Sequence, residues 1–209
     1  MEINISKLPI YVINLANESA RRQHIIDEFK RLELNDPIFI DGIKDVVRHI
    51  GCAKSHIKAL ETAQKNNHEQ FVLLEDDISF TNHHNIKEKT FILPKEADCL
   101  YIGISCAHMR RNLNEWVYSE FTNYYQNFPS EEFVKIYGML AFHGVCYLNN
   151  KYTEASKKIC NNGIEKNRPH DIYVEELHQN YNVYALRKPI VYQDARYGGY
   201  EPQTNIFFK

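Results

Sequence analysis

The sequence lacks any apolar run long enough to cross a membrane, and its start, Met1–Leu8, alternates polar and apolar residues. A membrane-spanning helix needs about 20 mostly apolar residues, and a signal peptide needs a basic segment followed by an apolar one. We therefore expect neither feature, and we expect a cytoplasmic protein for which peripheral contact with a membrane stays open.

Cysteine, glycine and proline are also sparse. The five cysteines have unrelated spacings and an odd total, which favours reduced thiols over a disulfide framework. The eight glycines and seven prolines form no linker, so 209 residues predict one domain. The net charge is −2 and the basic residues are scattered. The absence of a basic stripe argues against nucleic-acid binding, although a nucleotide-sized ligand is compatible.

Four apolar residues run directly into three carboxylates in the stretch Phe71–Asp77. This pattern is typical of a buried strand that ends at a polar site. Side chains alternate along a strand, so Glu75 and Asp77 would point one way and Asp76 the other. Because adjacent carboxylates repel one another unless they are neutralised, the stretch predicts that Glu75 and Asp77 hold Mn²⁺ or Mg²⁺. The alternative is a polar strand end that leads into a solvated loop.

Strands and helices alternate before this stretch. The β-branched run Pro9–Leu15 predicts a buried strand, an amphipathic helix follows it, and Pro37–Ile40 predicts a second strand. Ligands of open α/β sheets bind outside the carboxyl ends of the strands. Four residues near these ends are candidate nucleotide contacts: Asn14, Arg21, Arg22 and Asp41. The alternative for the two arginines is an ordinary exposed position on the helix.

A second helix is predicted to begin at Gly51–His56. Glycine allows close backbone approach, and the free amides of a helix start favour an anion. Gly51, Ser55 and His56 are therefore candidate contacts for phosphate or for a donor sugar. The order of the strand–helix units predicts an α/β fold with a mostly parallel central sheet and helices on both faces.

Five short segments follow one another between Pro9 and Asp77: Tyr-Val-Ile-Asn-Leu, Arg-Arg, Asp-Gly, Gly-Cys-Xaa-Xaa-Ser-His and Leu-Leu-Glu-Asp-Asp. Their order and spacing resemble glycosyltransferase family 25, which includes lipooligosaccharide galactosyltransferases and collagen β-galactosyltransferases. Further on, Phe142–Leu148 resembles the family's Gly-Xaa-Xaa-Tyr-Leu strand, and Arg168–Asp171 resembles its Pro-Xaa-Asp element. The acidic triplet begins with Glu75 rather than with the aspartate of the usual Asp-Xaa-Asp description.

The resemblance implies a GT-A-like domain over residues 1–209, with a nucleotide-sugar-binding half (1–105) and an acceptor-binding half (106–209). It implies an inverting, metal-dependent transfer of galactose or glucose from a UDP-sugar to a saccharide or a hydroxylated polypeptide. Asp76 would face the ribose or the hydroxyls of the donor sugar. The Pro-Xaa-Asp match makes Asp171 the predicted base for the acceptor hydroxyl, with His170 as a further candidate contact for metal or diphosphate. The alternative for Asp171 is a helix cap or a first-turn acid.

Three features of the second half carry further expectations. The aromatic segment Ala107–Lys135 has no counterpart in the family pattern; its rings could contact a sugar, although such rings more often pack a small core of their own. The tail Asp194–Lys209 could fold over the site. His143 is expected to be a hydrogen-bonded core residue rather than a ligand.

Two rival functions use the same residues. A metal-dependent phosphohydrolase would cleave a sugar nucleotide and release sugar without an acceptor. A non-catalytic sugar-binding module would bind UDP weakly and depend little on Mn²⁺, and the intact Glu-Asp-Asp triplet argues against it.

Overall fold

The computed structural model describes residues 1–104 and 130–198, together with the backbone of three short strands between them. Two 3₁₀ turns lie at Ile5–Lys7 and Ala195–Tyr197. The strands and helices are, in chain order, β1 (Glu2–Ile3), β2 (Ile10–Asn14), α1 (Ser19–Arg31), β3 (Ile38–Asp41), α2 (Arg48–Lys65), β4 (Phe71–Glu75), β5 (Ile78–Phe80), β6 (Phe91–Ile92), β7 (Cys99–Tyr101), β8 (Ala107–Arg110), β9 (Glu115–Tyr118), β10 (Asn123–Tyr124), β11 (Phe133–Gly138), β12 (Gly144–Tyr147), α3 (Asn150–Glu165), α4 (Asp171–Asn180), β13 (Val183–Leu186) and β14 (Val191–Gln193).

An eight-stranded mixed sheet forms the centre of the fold, in the order β10-β11-β13-β7-β12-β4-β2-β3. The pairs β3–β2, β2–β4 and β13–β7 are parallel. Only β11 and β12 run against the other strands of this sheet, so six of its eight strands point the same way. The predicted α/β class with a mostly parallel central sheet is confirmed, and this architecture is consistent with a GT-A-like fold.

Helices cover both faces of the sheet, as predicted. On one face α2, α3 and α4 contribute Leu60, Tyr152 and Val174 to a continuous apolar core. On the other face α1 contributes Ile25 and Phe29 to a second core. Among the described residues, no helix is both long and apolar enough to span a membrane.

Strand β4 contributes side chains to both cores. Phe71 and Leu73 pack on the α2 side, and Val72 and Leu74 pack on the α1 side. Because side chains alternate along a strand, the next residue, Glu75, falls on the α2 side. The strand that is buried on both faces therefore delivers its terminal carboxylate toward one particular helix.

The second helix begins at Arg48, three residues before the start predicted at Gly51. The amides of Ile50 and Gly51 both donate to the carbonyl of Val47, at 3.0 and 3.1 Å. The helix therefore starts at this shared acceptor and has no side-chain cap. A side-chain cap is the signal from which a helix start is predicted in a sequence. The amide of Gly51 is therefore not a free donor for an anion, and the predicted helix start is wrong.

Asp98 joins three elements near the opposite end of the sheet. Its Oδ1 accepts a hydrogen bond from Asn149 Nδ2 (2.9 Å), and its Oδ2 accepts one from the amide of Asn182 (2.8 Å). Asn149 in turn caps α3 by accepting from the amide of Tyr152 (2.9 Å). The buried Asp98 thus fixes the starts of β7, α3 and β13 relative to one another.

We expect Asp98→Ala to lower the free energy of unfolding by about 2–4 kcal/mol, because it removes a buried carboxylate and leaves the partly buried amide of Asn182 without its acceptor. Denaturant unfolding measures the change. Asp36→Ala, at an exposed carboxylate, is the control and should stay within about 0.5 kcal/mol of the wild type. Equal stability of the two variants would contradict this account of Asp98.

Candidate active site

Glu75 lies against α2 at the end of β4. Its Oε1 accepts a hydrogen bond from His56 Nε2 (3.0 Å) and a longer one from Cys52 Sγ (3.8 Å). The backbone amide of Glu75 donates to the carbonyl of His143, the residue that precedes β12 (3.1 Å). The segment predicted to contact phosphate or sugar, Gly51–His56, therefore contacts the first acid of the triplet.

Asp76 points to the other side, toward α1. Its Oδ2 accepts from Asn14 Nδ2 (2.7 Å), and its Oδ1 accepts from Arg21 Nη1 (3.1 Å). Arg21 also donates through Nη2 to the carbonyl of Tyr197 (2.8 Å). The structure thus brings three of the predicted nucleotide contacts together, in a largely buried network at the carboxyl ends of β2 and β4.

Asp77 is the least satisfied acid of the three. Its Oδ2 accepts from Gln193 Nε2 (3.3 Å), but its buried Oδ1 has no hydrogen-bond partner in the described part of the chain. Its backbone carbonyl accepts from the amide of Asp194 (2.8 Å). The segment after β14 therefore holds the turn that presents this carboxylate.

The two outer carboxyls of the triplet are electrostatically strained. Burial raises the pKa of Glu75 well above its usual range, and the charge of Asp76 raises it further. Burial and the charge of Glu75 raise the pKa of Asp77 in the same direction. Crowded, poorly solvated carboxylates with an orphaned buried oxygen are the donors that a hard divalent cation such as Mn²⁺ or Mg²⁺ prefers. The residues present fit such an ion.

Two cavities meet at this cluster, and three residues line both of them: Arg48, Cys52 and Glu75. The first, of about 460 Å³, is lined by the whole acidic triplet and by residues of β2, α1, α2 and the loop before α2. The second, of about 360 Å³, is lined by residues before β12 and at the start of α4, and by Gln193. Both volumes lie in the range of small-ligand sites.

Two basic residues at the first cavity were missed by the sequence-based reasoning. Lys44 and Arg48 line it, and both are exposed. No hydrogen bond ties the guanidinium of Arg48 to any other described residue. Arg48 is close enough to Glu75 to oppose the rise in the pKa of that carboxyl. The only feature of the sequence that could have indicated Arg48 was its position three residues before Gly51, which is a weak signal for a binding residue.

The second cavity contains Asp171, the predicted base. Asp171 opens α4, and its Oδ1 accepts from the amide of Ile172 (3.0 Å), as a first-turn acid does. Burial raises the pKa of this carboxyl to about 6, and the charge of Glu75 contributes. A carboxylate with such a pKa accepts a proton near neutral pH better than an ordinary aspartate does.

Two histidines line the same cavity. His170 is buried and its Nε2 has no hydrogen-bond partner among the described residues. His143 is buried as well, but its Nε2 also lacks a described partner, so the expectation of a hydrogen-bonded ring is wrong for that nitrogen. Burial lowers the pKa of His143 to about 4, which leaves its ring neutral at physiological pH. A neutral buried ring can persist with one nitrogen unpaired at a cost of about 1–3 kcal/mol.

Other predicted contacts lie apart from the cavities. The guanidinium carbon of Arg22 stacks 3.7 Å from the ring centre of Phe39, and the exposed Asp41 uses its backbone carbonyl to accept from Lys58 Nζ (2.8 Å). Neither Arg22 nor Asp41 lines either cavity. For Arg22 the alternative, a surface position on the helix, describes the structure better.

Gly51 and Ser55 act on the loop before α2 in this structure. A Cβ at Gly51 would lie 2.6 Å from the carbonyl oxygen of Ile43, so only glycine permits this close approach. Ser55 Oγ accepts from the amide of Ile43 and donates to the carbonyl of Gly51, both at 2.7 Å. Ser55 lines the first cavity, but its hydroxyl is committed to positioning the loop.

Two sequence-based expectations fall mainly on residues outside those described. The side chains of the aromatic segment are not described between residues 105 and 129, and the tail is described only to residue 198. Within the described tail, Asp194 is buried and Tyr197 contacts Arg21. The expected sugar contact by the aromatics and the closing of the whole tail over the site stay predictions.

Comparison with known proteins gives one family. The sequence model described as "Glycosyltransferase family 25 (LPS biosynthesis protein)" matches residues 47–160, which is more than half of the chain. No curated protein matches the sequence.

Three solved structures show weak overall likeness. A197 from STIV has a TM-score of 0.44 at 12% identity, over 87% of this chain and 81% of that one. A glycosyltransferase involved in the glycosylation of the major capsid of PBCV-1 has a TM-score of 0.42 at 9% identity, over 74% and 65%. A nucleoside-diphosphate-sugar pyrophosphorylase from Vibrio cholerae RC9 has a TM-score of 0.44 at 9% identity, over 87% and 73%. Scores and identities at this level assign no function to this chain.

The strained acidic cluster predicts a gain in stability from neutralising Asp77. A carboxyl whose pKa is higher in the folded state destabilises the fold once the pH exceeds the pKa of the unfolded chain. Without divalent cations, we expect Asp77→Asn to raise the free energy of unfolding by about 1–3 kcal/mol at about pH 8, and by less at about pH 5. Denaturant unfolding in the presence of a chelator measures both values.

Asp36→Asn, at an exposed carboxylate, is the matched control and should show no such gain. Added Mn²⁺ should stabilise the wild type more than Asp77→Asn, because the variant has lost a negatively charged donor. A gain that does not change with pH, or a loss of stability at about pH 8, would contradict the strain ascribed to this carboxyl.

Proposed function

The chain belongs to glycosyltransferase family 25, and we propose that it transfers a hexose, galactose or glucose, from a UDP-sugar to a hydroxyl group of its acceptor. The observation that carries the proposal is the meeting of two cavities at Glu75, one containing the acidic triplet and the other containing Asp171. A transferase needs adjoining places for a donor and an acceptor. The residues of the first cavity all come from the half 1–105, and those of the second come largely from the half 106–209.

The first cavity suits the donor. Its exposed cations, Lys44 and Arg48, would face the diphosphate, and arginine can contact phosphate oxygens through two N–H groups at once. Arg21 and Asp76 line this cavity near the ends of β2 and β4, and Asn14 donates a hydrogen bond to Asp76. In this arrangement Arg21 and Asp76 would contact the ribose or the donor sugar through the donors and acceptors that they do not use on one another.

Glu75 and Asp77 would hold Mn²⁺ or Mg²⁺, since both line the first cavity and Asp77 Oδ1 has no other described partner. When bound, such an ion supplies positive charge to the departing diphosphate. His56 would keep Glu75 in place by donating from Nε2. In this proposal His170 is not a ligand of the ion held by Glu75 and Asp77, because its ring packs against His56 and Phe142.

The second cavity suits the acceptor. Asp171 would take the proton of the acceptor hydroxyl while the hydroxyl oxygen bonds to the anomeric carbon and the bond from that carbon to the diphosphate breaks. Attack from the side opposite the leaving group inverts the anomeric configuration. The description of the family as an LPS biosynthesis protein favours a saccharide acceptor, including one linked to lipid at a membrane surface, over a hydroxylated polypeptide.

A sugar-nucleotide phosphohydrolase is the rival that uses the same carboxylates. It would release sugar in the absence of an acceptor and would have no need for the cavity around Asp171. A non-catalytic module would have no need for the strained carboxylates, which cost stability when no cation is bound. Both observations favour a transferase.

We expect UDP to bind in the presence of Mn²⁺, and Asp77→Ala to weaken that binding by about tenfold or more, equivalent to at least about 1.4 kcal/mol. Calorimetric titration with and without Mn²⁺ measures the effect. Asp36→Ala, at an exposed carboxylate that lines neither cavity, should bind like the wild type. Absence of UDP binding under every metal condition would remove the basis of the proposed function.

We expect Asp171→Asn to leave the Kd for UDP unchanged and to lower kcat by about 10²–10⁴-fold, the usual contribution of a general base. Because burial raises the pKa of this carboxyl to about 6, the wild-type rate should rise as the pH increases through that value and the variant should lose this rise. The measurement is hexose transfer from UDP-galactose and UDP-glucose to a panel of saccharides. Glu176→Gln, at an exposed position on the same helix, is the control; near-normal turnover of Asp171→Asn would exclude Asp171 as the base.

A further inference from the structure

A second group of potential metal ligands lies beside the acidic triplet. One ligand atom from each of Cys52, His56 and His170 lies within 4.8 Å of those of the other two. Cys52 and His56 are four residues apart on α2, so they lie on the same face of the helix. His170 reaches them from the start of α4. Two helices that are distant in sequence thus bring a thiol and two imidazoles together.

Both imidazoles carry a buried nitrogen without a hydrogen-bond partner in the described chain, Nδ1 of His56 and Nε2 of His170. The exposed fractions of the two residues are 1% and 4%. Burial lowers the pKa of His56 to about 3, and burial with the neighbouring His56 lowers that of His170. The rings are therefore neutral and each keeps a lone pair, the state in which histidine binds a metal.

One apolar ring packs against both imidazoles. The ring of Phe142 lies against both imidazoles, with ring centres 4.7 Å from His56 and 5.1 Å from His170. The two imidazole rings are themselves 5.0 Å apart and tilted, rather than joined by a hydrogen bond. An unpaired buried nitrogen costs about 1–3 kcal/mol, which a metal ion in the group would offset.

We propose that Cys52, His56 and His170 bind Zn²⁺, and that zinc at this position inhibits binding of the UDP-sugar. One thiolate and two imidazoles are a ligand set suited to zinc, whereas Mn²⁺ and Mg²⁺ prefer oxygen donors. The thiol proton of Cys52 leaves to solvent when its sulfur binds the ion. The remaining position is open to water or to Glu75.

The inhibition rests on the proposed function and follows from the place of Glu75. Its Oε1 contacts both His56 Nε2 and Cys52 Sγ, so a zinc ion in the group attracts this carboxylate. The positive charge of the zinc ion also opposes a second divalent cation at Glu75 and Asp77. The enzyme would therefore distinguish two kinds of cation: one that supports donor binding and one that prevents it.

Cobalt substitution tests the site without any assay of activity. Co²⁺ bound to a thiolate has a sulfur-to-metal charge-transfer band in the near ultraviolet, and we expect the wild-type protein to show it at one equivalent of Co²⁺ and to lose it when Zn²⁺ is added. Cys52→Ser, which is nearly isosteric, should lack the band. Cys146→Ala, which removes a buried cysteine in the core on the α1 side, should keep it.

His170→Gln provides a second variant with the thiol intact, and it should weaken Co²⁺ binding by about tenfold or more. Absence of the band in the folded wild-type protein would overturn the zinc site. A band that persists in Cys52→Ser, or Co²⁺ affinity that is unchanged in His170→Gln, would overturn it equally.

UDP titration in excess Mn²⁺ tests the inhibition separately. One equivalent of Zn²⁺ should weaken UDP binding to the wild type by about tenfold and leave the affinity of Cys52→Ser, compared with its own zinc-free value, unchanged. Unchanged or tighter UDP binding by the wild type would overturn the inhibition. If the wild type binds no UDP with Mn²⁺ alone, the proposed function fails, whereas the cobalt spectrum still decides the zinc site.

Discussion

Repulsion among three carboxylates at the end of a doubly buried strand is the constraint to which the rest of the site responds. The fold distributes the acids in three directions rather than dispersing their charge into solvent. Glu75 is directed to α2, Asp76 to Asn14 and Arg21, and Asp77 to Gln193 at the end of β14. Only the middle acid receives a cationic partner at hydrogen-bond distance in the described structure. The strain left on the outer two acids is what a bound divalent cation would relieve.

The local pattern of β4 was sufficient to predict the directions of two of these acids. Alternation along the strand places Glu75 opposite Asp76, and the structure confirms this. The same reasoning placed Asp77 on the side of Glu75, but the chain turns after Glu75, so the strand geometry on which that argument depends ends there. Both acids nevertheless line the first cavity. The α/β class, the mostly parallel sheet and the family were predictable because each depends on short segments in a fixed order.

Contacts between distant segments were not predictable from the sequence. Local periodicity does not show that β12 enters the sheet between β4 and β7, yet this pairing brings His143 and Phe142 to the site. The approach of α4 to α2, which places His170 beside His56, is equally a matter of tertiary packing. Arg48 was overlooked because an arginine in the first turn of a helix carries no signal of its own. The assignments of Asp171 as the base and of Glu75 and Asp77 as metal ligands stay predictions. The structure adds that these residues line two adjoining cavities.

The contacts from Gln193 to Tyr197 have a consequence for how the protein is made. All three carboxylates are synthesised more than a hundred residues before Gln193, the donor to Asp77, and before Tyr197, the second acceptor for Arg21. A nascent chain that has emerged only as far as β12 therefore carries the acids without the segment that orders them. Because chains are synthesised from the amino terminus, the acidic triplet reaches the arrangement described here only after β14 and the turn that follows it have left the ribosome. Folding of the acidic cluster thus couples two segments that lie more than a hundred residues apart in the sequence.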